Sequence, residues 1–508
     1  MNQVIIDGES LTLGDVVNVA HQGYSVSIDP LATKRMQSSR QSIEKIIAHG
    51  ETVYGVNTGF GKLSNIHISS NDLQELQLNL VLSHACGTGE FMPDPLVRVA
   101  MLLKANALCK GFSGTRPEIA VLLVEMLNRD IIPKIPVKGS VGASGDLAPL
   151  AHLTLVMLGL GEAAVDGKVF PGAKALERKS LHPITLQAKE GLAMLNGTQI
   201  MSAFAAEALV RAQNLVKTAD IAGAITVESL LGTIVAFDER IQIARGFQDQ
   251  IQVARNLRQL IAESEINASH ANCGKVQDPY SSRCIPQVHG AVRQAIRFVT
   301  EVILTELNAA TDNPLIFWED GDVLSGGNFH GQPISLACDT LAIAVAQLAN
   351  ISERRLENLM DPHQSGLPPF LATRSGLNSG YMMAQVTAAA LVSENKVLCH
   401  PASVDSIPTS ANQEDFVSMG THAARKALEV VENAETVIGI ELLAGCQAIE
   451  FRQNLSAGKG TSVAYAAIRE HISTLQHDRL MKNDIEKIIQ LIKQNLVVHR
   501  VEAAIGSL

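Results

Sequence analysis

Long apolar stripes of helical period constrain this chain more than any other feature of its sequence. In residues 338–359, CDTLAIAVAQLANISERRLENL, Leu341, Ala344, Leu348 and Ile351 recur at steps of three and four. Residues 423–450, AARKALEVVENAETVIGIELLAGCQAIE, run without glycine or proline as far as Gly439. Segments 203–218, 285–310 and 380–399 read the same way. Alanine is abundant in all of them; it is the best helix former and lets helices approach closely. The stripes are expected to be packed core, so the chain is expected to be mainly all-α.

The first 110 residues are more mixed. Short apolar pieces, Val4–Ile6, Val26–Ile28 and Thr52–Tyr54, read as strands between glycine-rich turns. A smaller mixed α/β domain over 1–110 and a helical domain over 111–508 are expected, divided near the GFSGTRP stretch. The 508 residues suffice for one or two large cores. A hydrophobic share of 46% and a mean hydropathy of +0.14 exclude disorder. Charged residues are only 18%, against a usual ~25%, which suggests surface hidden against copies of the chain.

The net charge of −10 argues against a nucleic-acid partner. MNQVIIDGES carries neither a basic nor an apolar leader region. Residues 375–393 are uncharged but include Asn378, Gln385 and Thr387, so a buried helix is expected there rather than a membrane span. Seven scattered cysteines with no CxxC fit reduced thiols and a cytoplasmic chain, with one disulfide as the alternative. No HExxH and no paired histidines at i, i+4 are written, so no metal site is expected. His330 reads as a hydrogen-bonding loop residue, and Asp312 in TDNP as part of a turn. Glu432, Glu435 and Glu441 read as solvated or interface charges, and Arg354-Arg355 as an ion-pairing helix face.

The segment GSVGASGDLAPLAHL, 139–153, is a glycine-rich turn feeding a helix. Asp146 suits the helix start and Pro149 is tolerated in a first turn. On that reading alone it is a capped helix N-terminus, with an anion site as one use. YGVNTGFGKL, 54–63, contains Gly61-Lys62, but Leu63 stands where a phosphate-binding loop needs Ser or Thr, and the glycine spacing is wrong.

Taken together these segments resemble the aromatic amino acid ammonia-lyases, over nearly the whole chain. Ala143-Ser144-Gly145 matches the tripeptide that cyclises in that family to 4-methylidene-imidazol-5-one (MIO), an electrophile built from backbone with no dissociable cofactor. The residue types suit that chemistry. The Gly145 nitrogen must reach the Ala143 carbonyl unhindered, and glycine permits the backbone this needs. Ser144 loses its hydroxyl as water. A helix N-terminus behind the ring would withdraw electrons from it. YGVNTGFGKL matches the family's catalytic loop, with Tyr54 as base. LNGTQ supplies Asn196 beside the ring, QDPYSSRCIPQVHG supplies Gln277, Tyr280 and Arg283, SGGNFHGQP supplies Phe329, and ANQEDFVSMG supplies Glu414.

Within the family the chain resembles the histidine-specific branch, through Ser83-His84 in LVLSHACGTGE, Met382 in SGYMMAQV, and Glu414. A carboxylate at 414 suits an imidazole N–H, which needs an acceptor in a buried pocket. The resemblance implies elimination of ammonia from L-histidine to give trans-urocanate, the first step of histidine degradation. A positioned base supplies only ~10²–10⁴-fold, and enzymes need ~10⁶-fold or more, so an electrophile must supply the rest. Attack on it by the substrate amine, or by the ring, are both open. Arg283 is implied to hold the carboxylate, Tyr280, Asn196 and Gln277 to position substrate and ring, His84 and Glu414 to hold the imidazole, and Phe329 to exclude water. The implied fold is a long antiparallel helical bundle of the ammonia-lyase/fumarase type, in a homotetramer with shared active sites. Phe416, where the family usually has His, and Ser282, where Leu is common, depart from the pattern. The alternatives are a tyrosine or phenylalanine lyase or aminomutase with the same chemistry, and an inactive helical scaffold.

Overall fold

The computed structural model describes every residue except Met1, Phe60, Ser64, Asn272, Lys275 and Gln453, and the side chain of Lys62. The fold is mainly α-helical, and the chain divides into two compact units. The first comprises residues 1–207, 300–339 and 401–425, and the second 208–299, 340–400 and 426–508.

The first unit opens on two expected strands, Gln3–Ile6 and Ser25–Ile28, paired in parallel with Ile6 opposite Ile28. Parallel strands need a crossover, here the helix Leu13–His21. It starts at a capping box: Asp15 N–H donates to Thr12 Oγ1 at 3.2 Å, and Thr12 N–H to Asp15 Oδ2 at 3.0 Å. The helix Pro30–His49 is capped by Asp29 and stopped by Gly50 in the left-handed region. The third expected strand, Thr52–Tyr54, is instead a turn. The Asn57 side chain accepts from Val53 N–H at 2.9 Å and donates to the Glu51 carbonyl at 2.8 Å, occupying groups a strand partner would take. Val56 anchors this turn in a core cluster with Ile43, Ile46, Leu73, Ala188 and Ile316.

The second unit is almost wholly helical. Its interior contains ion pairs that periodicity does not announce. Arg355 and Glu441 are both fully buried, with Nη2 and Oε2 2.8 Å apart, and Glu441 also accepts from Ser352 and Thr226. Glu435 is buried against Arg211 at 2.6 Å; only Glu432, on the same arginine, faces solvent. Two of the three glutamates expected at the surface are therefore interior, because Arg211 and Arg355 accompany them. Asp220 accepts from His289 at 2.7 Å and Arg293 at 2.6 Å. Burial opposes its charge, yet Arg293, His289 and Asn256 hold its carboxyl below the usual range, while burial pushes His289 down.

The uncharged stretch 375–393 contributes the helix Met382–Leu398, but little of it is buried. Met383, Val386 and Val397 are exposed on it, so the expected buried helix is a surface helix of this chain. Among the described residues one helix, Gln332–Met360, is long and apolar enough to cross a membrane, and 72% of its apolar window is buried inside the protein. Among the described residues the seven cysteines form no disulfide.

Candidate active site

A cavity of about 1160 Å³ lies within the first unit. Tyr54, His84, Ala143, Ser144, Asn196, Phe329 and Glu414, all singled out in the sequence, line it. They come from loops and helix ends hundreds of residues apart, held by the unit's helices.

At its floor the turn 142–146 is strapped to residues 196–197. Gly145 forms a parallel bridge with Gly197, and Asp146 N–H donates to the Gly197 carbonyl at 2.7 Å. Gly145 has φ +74°, and a Cβ there would lie 2.1 Å from Gly197 O. No other residue fits that conformation and that approach. Ser144 presents its hydroxyl to the cavity and donates to Glu414 Oε1 at 3.3 Å.

Asp146 precedes the helix Leu147–Met157, as expected, but its side chain does not cap that helix. Its Oδ2 accepts from Ile200 N–H at 3.0 Å and Met201 N–H at 2.9 Å, the opening amides of the helix beginning at Gln199. Oδ1 takes the hydroxyls of Thr421 and Ser140. Burial raises its pKa against these bonds. One carboxylate thus ties together the tripeptide turn, a second helix start and the segment after Glu414.

Asn196 ends the helix Glu190–Leu195 and is nearly buried. Its Nδ2 donates to the Asn313 carbonyl at 3.0 Å and to Asp312 Oδ1 at 3.3 Å. Its Oδ1 is buried with no hydrogen-bond partner among the described residues. A buried orphan acceptor at the wall of a cavity suits a ligand N–H or O–H. Beneath it, Lys104 donates to the Asn196 carbonyl, and Lys189 pairs with Asp312 at 2.7 Å. Burial, aided by Lys189 and opposed by Asp312 and Asp146, pushes Lys104 down to about 7. Asp312 is thus a buried counter-ion as well as part of a turn.

Lys104 and Lys189 were not anticipated. The signal for Lys104 was present: a single cation inside the apolar helix text MLLKANAL.

His84 ends the helix Leu73–His84. Its Nδ1 lies 2.8 Å from the Leu80 carbonyl, which can only accept, so Nδ1 carries the hydrogen. Burial lowers its pKa, against the Leu80 carbonyl and Glu414, favouring the neutral ring. Nε2 of a neutral ring is then an acceptor. Glu414 adds a second: its Oε2 is fixed by the hydroxyls of Thr409 at 2.7 Å and Ser410 at 2.8 Å, leaving Oε1 toward Ser144. Ser410, Ala411 and Asn412, which approach Glu414, all have positive φ. Three consecutive left-handed non-glycine residues are strain retained at a site. Tyr54 accepts from Gly61 N–H at 3.5 Å. His330 behaves as a loop residue: Nδ1 accepts from Gln332 N–H, Nε2 contacts the Phe416 carbonyl at 3.2 Å, and the ring stacks on Phe416.

Gln277, Tyr280, Arg283 and Met382 belong to the second unit and do not line this cavity. Tyr280 is 71% exposed, and the Arg283 guanidinium lies 4.5 Å from its ring centroid. Arg283 Nε is buried with no hydrogen-bond partner among the described residues. Tyr381, beside Met382, is buried in the core.

The arrangement combines an unhindered Ala-Ser-Gly turn, an orphan amide oxygen, a phenol and two ring-sized acceptors in one cavity. Comparison with known proteins agrees with it. The model of the family described as aromatic amino acid lyase matches residues 11–470. Histidine ammonia-lyase of Caldanaerobacter subterraneus subsp. tengcongensis is 51% identical over 98% of both chains. That of Anaeromyxobacter sp. strain K is 53% identical over 97% of this chain and 99% of its own. Among solved structures, histidine ammonia-lyase from Trypanosoma cruzi superposes with a TM-score of 0.92 at 43% identity, covering 99% of this chain and 96% of the other. Tyrosine aminomutase from Streptomyces globisporus gives 0.93 at 34% identity, covering 99% of each. With the site's geometry and these matches pointing the same way, the chain belongs to the aromatic amino acid lyase family.

Proposed function

We propose that the protein is a carbon–nitrogen lyase that eliminates ammonia from L-histidine to give trans-urocanate. The observation that carries this reading is the cavity that sets Ser144 of the Ala143-Ser144-Gly145 turn opposite His84 and Glu414. The tripeptide fits self-cyclisation to MIO: Gly145 is the one residue its conformation and its approach to Gly197 allow, and Ser144 keeps its hydroxyl in the cavity. When formed, that group supplies an electrophile that activates the departing nitrogen.

The chain's own groups divide the remaining work. Tyr54 takes the β-proton. His84 Nε2 and Glu414 are two acceptors for the imidazole, one taking the N–H of the neutral ring and both serving the imidazolium, and a phenyl ring would leave both unpaired, a cost large enough to discriminate. Asn196 Oδ1 takes a substrate N–H. Phe329 excludes water. Because a protein that shares the fold is named for tyrosine, His84 and Glu414, which line the cavity, are the residues on which the choice of ring is to be tested.

Arg283 suits the substrate carboxylate through its fork geometry, with Tyr280 and Gln277 beside it and Met382 bordering the ring. They are supplied by neighbouring copies in a homotetramer. The exposed apolar side chains Ile343, Met383, Val386 and Val397, and the low charge fraction, support such an assembly. Seven cysteines with no disulfide among the described residues favour a reducing compartment, the cytoplasm.

Two measurements test the reading. Intact mass should fall short of the sequence by two waters per chain; an unmodified mass would leave a scaffold rather than an enzyme. Incubation with histidine, tyrosine and phenylalanine in turn should give a conjugated product fastest from histidine, and a product from tyrosine alone would overturn the substrate.

A further inference from the structure

We propose that Glu414 is the acid–base group that dehydrates Ser144 during maturation, before it serves any substrate. The inference rests on the reading of 143–145 as a self-cyclising turn and adds the group that completes the process. In the unprocessed chain, Ser144 Oγ donates to Glu414 Oε1 at 3.3 Å. The contact is long, as acid–base contacts commonly are before the reacting geometry is reached. Oε1 is left for Ser144 because Thr409 and Ser410 occupy Oε2. The left-handed run 410–412 and the backbone pairing of Thr409 with Glu414 hold the carboxyl in place.

Asp146, the carboxylate adjoining the turn, is already committed. Asp146 spends Oδ2 on Ile200 and Met201 N–H, and Oδ1 on Thr421 and Ser140, so it tethers the turn.

The chemistry balances with what the turn and Glu414 contain. The Gly145 nitrogen bonds to the Ala143 carbonyl carbon, and the carbonyl pair moves to oxygen, which takes the Gly145 proton. That hydroxyl leaves as the first water with the Ser144 N–H proton, forming C=N. For the second, the Ser144 Cα–H pair becomes the Cα=Cβ bond, and the Cβ–Oγ pair departs with oxygen. The Glu414 carboxylate takes the Cα proton and hands it to Oγ, which leaves as water, and the carboxylate is restored. No oxidant or co-reactant is consumed.

The test follows intact mass at intervals after cell-free synthesis of the full chain. Wild-type chains should pass to the loss of two waters. Glu414→Gln should accumulate chains that have lost one water, cyclised with the Ser144 hydroxyl retained, and reach the second loss ~10²-fold or more slowly. Glu414→Asp should recover part of the rate. A Glu414→Gln time course matching wild type would overturn the proposal while leaving cyclisation intact. A wild-type chain that loses no water would instead remove the reading on which the proposal rests. Circular dichroism at each interval checks helix content. If Glu414→Gln does not fold, Ser410→Ala decides: the proposal needs a slowed second loss with native helix content, and an unchanged time course refutes it.

Discussion

Lys189 Nζ lies 2.7 Å from Asp312 Oδ2 with both side chains buried, and the same carboxylate accepts from the Asn196 amide. The pair is therefore the floor on which Asn196 stands. Removing one partner leaves an uncompensated buried charge, which costs about 3–5 kcal/mol. Lys189→Met is expected to lower the denaturant midpoint accordingly. Asp312→Asn, which keeps an acceptor for Asn196, should be destabilised as well. A Lys189→Met midpoint within error of wild type would show that Asp312 is satisfied without it.

Lys104 supplies the pH dependence of the same layer. Burial pushes its folded pKa to about 7 from 10.5. Between those values the unfolded chain binds a proton that the folded chain has released, so this group makes stability rise with pH across that window. Read downward, the contribution is present above 10.5 and is lost as pH falls through about 7. Thermal midpoints of wild type and Lys104→Met, measured from pH 7 to pH 10, should therefore diverge in slope, with wild type gaining more on the alkaline side. Parallel slopes would mean that Lys104 stays charged at the Asn196 carbonyl.

His84 predicts specificity. Its Nδ1 hydrogen is taken by the Leu80 carbonyl, leaving Nε2 to accept from a ligand. His84→Leu should reduce kcat/KM for histidine by ~10²-fold, mainly through KM, and should leave slow turnover of phenylalanine unchanged or faster. Equal losses on both amino acids would remove His84 from ring recognition and assign it to packing.

What could be read from the sequence follows from which interactions are local. The helices were legible because Leu341, Ala344, Leu348 and Ile351 repeat with the period of the backbone itself. Thr52–Tyr54 reads as a strand but forms a turn because its partner is a side chain, Asn57, and no backbone pattern records that. Asp146 was correctly placed at a helix start, yet its hydrogen bonds go to a different helix, 54 residues on. Glu441 reads as a solvated or interface charge because its partner Arg355 lies 86 residues away. The cavity residues were legible as a set only through resemblance. The lysine–aspartate layer beneath them was not, since spacing does not reveal which buried charges meet.

The exposed Tyr280–Arg283 pair and the cavity that lacks both make one demand that a mixing experiment can meet. On the proposed function, a Ser144→Ala chain would have no electrophile but would retain Arg283, and an Arg283→Met chain would mature but lose the carboxylate fork. Each variant alone should turn over histidine at least ~10²-fold more slowly than wild type. If a site draws its tripeptide and its arginine from different copies, unfolding and refolding the two chains together creates some sites with both functions. Activity should then return to a sizeable fraction of wild type in the refolded mixture, and not in a mixture of separately refolded proteins. Sites assembled from a single copy cannot be rescued in this way, because every cavity would still carry one of the two defects. Recovery measured against the mixing ratio therefore separates shared sites from self-contained ones.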